Sequence, residues 1–172
     1  MRPSFQTSLV LSLSALLLLP FVARGDDDRE EGESRALPAA VRATPQWKQY
    51  ASECGSCHLA FPPQMLPARS WTALLNGLSN HFGQNAELGA PERKQLGEFL
   101  SAHAGRDVSG PAPLRITELA SWRREHRELA DTVFLRKAVV SRANCAACHP
   151  GAERGAFGED QVKVPRDGPP GR

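Results

Sequence analysis

Beyond its first 25 residues the sequence has no apolar run near the roughly 20 residues that a membrane-spanning helix needs, so no spanning segment is expected in the mature chain. It also lacks a strong charge: the formal net charge is +2 over 172 residues, which does not argue for a nucleic-acid partner. No strand hairpin and no alternation of strands with helices can be read along it. Methionine is almost missing, with only Met1 and Met65. Cysteine is limited to four residues, and their placement proves more telling than their number.

The one long apolar run lies at the start. Arg2 precedes a stretch from Leu9 to Val22, and Ala23 and Gly25 are small enough for a cleavage site. That stretch is 14 residues long, short for an uncleaved anchor, so residues 1–25 read as a secretory signal peptide. Residues 26–33 then carry six acids and one base. Residues 26–43 are therefore expected to form an acidic, disordered leader. The remainder, 34–172, holds 18 basic and 13 acidic residues, a mildly basic body.

All four cysteines fall in two frames of one pattern, Cys54-Gly55-Ser56-Cys57-His58 and Cys145-Ala146-Ala147-Cys148-His149. Four cysteines in an exported protein ordinarily suggest two disulfides. A thioredoxin-like pair needs a βαβ context that is missing here. A zinc site assembled from both pairs leaves two adjacent histidines without a purpose. Haem attachment uses every residue of each frame. Two thiols add to the two vinyl groups of one haem, and the next imidazole binds the iron from the proximal side. Two covalent c-type haems are expected, with His58 and His149 as proximal ligands.

The pattern around the frames is helical. Thr44 and Pro45 supply a cap and a first position, and Trp47, Tyr50, Ala51 and Cys54 share one face. Phe61 to Pro67 is too rich in proline for an α-helix. Ser70 is expected to cap a second helix bearing Trp71, Leu74, Leu75 and Leu78, which Gly83 stops. Pro91 opens a third helix with Leu96, Phe99, Leu100 and His103 in line. Gly, Pro and Ser between Gly105 and Pro113 suggest a boundary. Thr117 is expected to cap a fourth, longer helix with Leu119, Trp122, His126, Leu129 and Val133 on one stripe. The tail after Phe157 looks irregular. The predicted fold is mainly α, with two small helical haem domains at 44–105 and 106–172, the haems forming much of each core.

Each iron has one further axial position. Met65 follows His58 by seven residues, too few for the chain to wrap to the distal face, so it is assigned to packing. His81 and His126 stand on apolar stripes with enough intervening chain to reach a distal face. His103 also ends an apolar stripe, at a position that suits the helix dipole. The pairing of His81 with the first haem and His126 with the second is the simplest, and a crossed arrangement stays open.

The stretches CGSCHLAFPPQMLPARSW (54–71), NHFG (80–83), PLRITELASWRREH (113–126), NCAACH (144–149) and VKVP (162–165) resemble the bacterial dihaem cytochrome c family, small periplasmic carriers with two bis-histidine haems. The resemblance implies a first domain like a class I cytochrome c and a second unlike other known folds. It implies His81 and His126 as distal ligands, and it places Arg69 and Arg115 where they could pair with haem propionates. It also implies redox partners, among them a membrane-bound b-type cytochrome and an oxygen-binding monohaem cytochrome c. Histidine where methionine might bind implies low potentials. The function expected is single-electron transfer, with no catalytic residue. The rival is a peroxidase-like haem enzyme or gas sensor with one open or labile distal position.

Overall fold

The computed structural model describes residues 37–166. The expected signal peptide and the acidic run 26–33 lie outside the described residues. Six α-helices are present among the described residues: α1 (Ala39–Arg42), α2 (Pro45–Gly55), α3 (Ala68–Asn76), α4 (Ala90–Ala102), α5 (Ala120–Glu125) and α6 (Asp131–Phe134). Short 3-10 turns link them, and no strand is formed among the described residues beyond two isolated bridges, Pro67 with Gly105 and His81 with Gln84. The helical class expected from the pattern is the class observed.

The expected start of α2 holds in detail. Thr44 Oγ1 accepts from the Trp47 amide at 3.2 Å, with Pro45 at the first position. The leader, however, does not reach 43. Leu37 is buried in the core and Val41, on α1, packs against the same core, because two apolar side chains outweigh the polarity around them. Ser70 is not a cap: α3 begins at Ala68, and Ser70 sits fully buried inside it. Nor does Gly83 stop that helix, which ends at Asn76 with Gly77 as its cap. Proline does keep Phe61–Pro67 from an α-helix, leaving the 3-10 turn Pro63–Met65, where Met65 is half-buried.

Helices α2, α3 and α4 pack on one another around Leu37, Tyr50, Leu66, Trp71, Leu75, Leu96, Phe99 and Leu100. Tyr50 lies at the centre, with Trp47, Trp71 and Phe99 at ring separations of 5.6, 6.3 and 6.1 Å. Side chains of this size contribute about 1.5–3 kcal/mol each when fully buried. The packing crosses the expected boundary at 105/106, since Ile116 and Leu119 also lie against this core. Arg69 on α3 reinforces the crossing. It donates to the Asp107 carboxylate at 2.5 Å and to the carbonyls of Gly110, at 2.8 Å, and Val108.

After residue 119 the apolar material thins. Val133, Phe134, Val139, Cys148 and Ala152 are buried there, and they do not support a long helix. The single helix expected from Thr117 to Val133 is two short ones. Thr117 lies in a 3-10 turn, Ile116–Glu118, and α5 ends at Glu125 with His126 as its cap. Helices need tertiary packing of an apolar face to persist, and Arg123-Arg124-Glu125 and Arg127-Glu128 offer none.

A β-carbon at Gly105 would lie 2.1 Å from the Gln64 carbonyl oxygen, so Gly105→Ala should cost the holoprotein about 1–3 kcal/mol in denaturant unfolding. Ser70 Oγ is buried without a hydrogen-bond partner, so Ser70→Ala should be neutral or stabilising in the same assay. The hydrogen bond from Arg69, followed by that from the Val108 amide, holds the Asp107 carboxyl below its ordinary value. A lowered carboxyl favours folding above the unfolded value of about 3.9 and loses that contribution as pH falls through the folded value. The stability difference between the native protein and Asp107→Asn should therefore close as pH drops below about 4, and a difference that persists there would exclude the clamp.

Candidate haem sites

The first frame straddles the end of α2. Cys54 projects from the helix on the face shared with Trp47 and Tyr50, while Cys57 and His58 follow in the turn. Burial, and then the charge of Glu53, pushes the Cys54 thiol up to about 11, which keeps it a neutral thiol. The His58 ring is fixed from two sides. Its Nδ1 lies 2.7 Å from the Leu59 carbonyl, and Phe61 stacks on it at 5.2 Å. A carbonyl can only accept, so Nδ1 carries the proton and Nε2 keeps its lone pair for a metal. The loop bearing Phe61 is held by the core. Tyr50 donates its hydroxyl to the Phe61 carbonyl at 2.6 Å, and Trp71 Nε1 donates to the Pro63 carbonyl at 2.7 Å.

His81 reaches this site from the other side. It follows the 3-10 turn Leu78–Asn80 and exchanges two backbone hydrogen bonds with Gln84, at 2.7 and 3.2 Å. The reversal between them needs positive φ at Phe82 (54°) and Gly83 (94°). Glycine adopts this readily, and phenylalanine rarely does. The Asn80 side chain supports the turn by accepting from the Gly83 amide at 3.1 Å. Burial, followed by His58 and Arg115, lowers the His81 pKa, which favours the neutral imidazole a metal requires.

The second frame is a 3-10 turn, Cys145–Ala147, fastened at both ends. Asn144 Nδ2 donates to the Val139 carbonyl at 2.9 Å. The Lys163 amide, from the irregular tail, donates to the Cys148 carbonyl at 2.8 Å. Burial pushes the Cys145 thiol up to about 11. Phe157 lies 5.2 Å from the His149 ring. Opposite, the break after α5 presents His126. Its Nδ1 lies 2.8 Å from the Trp122 carbonyl, and the Trp122 ring stacks on it at 4.2 Å with 13° between planes. Phe134 closes the cluster, 5.7 Å from Trp122.

The structure thus brings together His58 with His81 and His126 with His149. In each pair the ring centres are 6.2 Å apart, with interplanar angles of 26° in the first and 71° in the second. A metal–imidazole bond of about 2.0–2.1 Å, plus about 1.1 Å from nitrogen to ring centre, places two rings on one metal about 6.3 Å apart. The residues present therefore fit an iron between each pair. None of the four cysteines is paired in a disulfide, and no cluster of three or more His, Cys, Asp or Glu that could hold a metal ion occurs among the described residues. His103 is not brought to either site; it packs on Phe99 at 4.8 Å.

The two arginines fare differently. Arg69 is engaged by residues 107–110, as described above, and so serves the connection between the halves. Arg115 lies over the Phe82 ring at 3.9 Å, beside His81. Sequence reasoning places Trp122 on the His126 stripe but misses the other aromatic supports: Phe61, Phe82, Phe134 and Phe157. Phe61 and Phe82 stand close to a histidine in the chain, whereas Phe134 and Phe157 each follow theirs by eight residues.

Residues 50–157 match the profile of the Dihaem cytochrome c family. A diheme cytochrome c from Rhodobacter sphaeroides is 42% identical, covering 64% of this chain and 95% of that one, with a TM-score of 0.59. A diheme cytochrome type c from Shewanella baltica OS155 is 39% identical, covering 70% and 94%, with a TM-score of 0.64. No curated protein matches the chain. With both frames inside the matched stretch, the chain belongs to the dihaem cytochrome c family and carries two covalently attached c-type haems.

Proposed function

We propose that the protein is a periplasmic electron carrier that relays single electrons through two haems, each held on both faces by histidine. His58 and His81 bind one iron, and His149 and His126 bind the other. The observation that carries this reading is the 6.2 Å separation in both ring pairs. When bound, each haem supplies an iron that cycles between the ferrous and ferric states. The chain's own part is to orient four imidazoles, keep their Nε2 lone pairs available and hold them in place through the redox change. Two histidines, rather than histidine and methionine, keep the potentials low.

The surroundings of the distal rings favour transfer over catalysis. His81 is flanked by Phe82, and His126 by Trp122 and Phe134. These groups fix a ring without taking part in proton transfer. Among the described residues no helix is long and apolar enough to cross a membrane. A mildly basic body suits an acidic docking face on a redox partner, and the resemblance points to a membrane-bound b-type cytochrome or an oxygen-binding monohaem cytochrome c.

Carbon monoxide tests the ligand set. The holoprotein, reduced with dithionite, should show no spectral change on adding the gas, because both irons are closed. His81→Ala and His126→Ala should each yield an adduct at one haem, with the other unchanged. An adduct in the native protein would overturn the ligand set and favour a haem enzyme or gas sensor.

A further inference from the structure

Each distal histidine is backed by a phenylalanine, and an arginine lies over each of these rings. In the second half Phe134 is 6.4 Å from His126, and Arg142 stands 5.5 Å from the centre of the Phe134 ring. Arg142 is also 2.5 Å from the Asp131 carboxylate, so its charge is compensated. In the first half the stack is tighter. Phe82 is 4.8 Å from His81, and Arg115 lies 3.9 Å above Phe82. The carboxylate paired with Arg115, that of Glu118, is farther away at 3.8 Å. A guanidinium over an aromatic face is attracted by the ring quadrupole, and the positive φ of Phe82 turns that ring where Arg115 can reach it. Arg115 belongs to the chain beyond the connecting segment, which Arg69 clamps in place.

We propose that Arg115, supplied from beyond the connecting segment, raises the reduction potential of the haem held between His58 and His81. Oxidation of ferrous to ferric haem releases one electron to the partner and leaves one more positive charge at the iron. A fixed, weakly compensated cation one ring away disfavours that added charge, so it stabilises the ferrous form. Arg142, compensated by Asp131, exerts the smaller effect on the other haem. The two haems are thereby made unequal by side chains that touch neither iron.

The inference rests on the ligand set proposed above, and one experiment separates the two. Native, Arg115→Gln, Arg115→Lys and Arg142→Gln holoproteins are titrated potentiometrically and followed by electron paramagnetic resonance. Ring planes at 26° and 71° give ferric centres of different anisotropy, so the two haems are tracked separately. Arg115→Gln should lower the potential of the near-parallel centre, on the order of tenfold in its equilibrium constant or about 59 mV for one electron. The other centre should stay in place, Arg115→Lys should retain most of the native value, and Arg142→Gln should move a potential less. All four proteins should remain closed to carbon monoxide. An unmoved near-parallel centre, an equal shift of both centres, or Arg142→Gln matching Arg115→Gln would overturn the proposal. Carbon monoxide binding by the native protein would instead overturn the ligand set.

Discussion

Everything in this molecule answers to one spacing: two imidazoles held across a gap wide enough for one metal atom. It is met twice, by different means. Around His58 and His81 the gap is set by packed helices, with Tyr50 and Trp71 fastening the loop beneath one ring and a strained reversal at Phe82 and Gly83 presenting the other. Around His126 and His149 there is little helix to draw on. Aromatic stacking and a bond from the tail to Cys148 do that work. The first site is built on a core, whereas the second is built around its cofactor.

That difference explains what was legible in the sequence. Thr44 and Pro45 announced α2 because capping is a local rule, and the two CxxCH frames announced the haems because attachment chemistry fixes their spacing. The histidine pairs could be ranked from their stripes, but their uncrossed partnership came only with the fold. Ser70 misleads because a good capping residue does not cap when Pro67, three residues earlier, already holds the cap position. The long fourth helix fails because Leu119, Trp122, His126, Leu129 and Val133 keep helical spacing without helical packing: a stripe needs a surface, and the buried side chains beyond residue 119 are too few to make one. Leu37 and Val41 were hidden by the charge that precedes them.

Arg69 and Arg115 show how much of a side chain's setting residue type leaves open. The resemblance places both where they could pair with haem propionates. In the structure Arg69 finds a carboxylate and two carbonyls in the connecting segment, and Arg115 finds an aromatic face. An arginine offers five donors and a planar cation, so its partner is decided by geometry that sequence spacing does not carry.

The connecting segment between the halves looks like a hinge on composition, yet its contacts give it the character of a seam. Arg69 grips it from one side, and beyond it Ile116 and Leu119 return to the core of the other half. A chain joined this way is not modular. Neither half can be exchanged, duplicated or lost without exposing apolar surface on what remains, so inheritance acts on the pair. The two histidine pairs stand on either side of that seam, so the contacts that close it also tie one pair to the other.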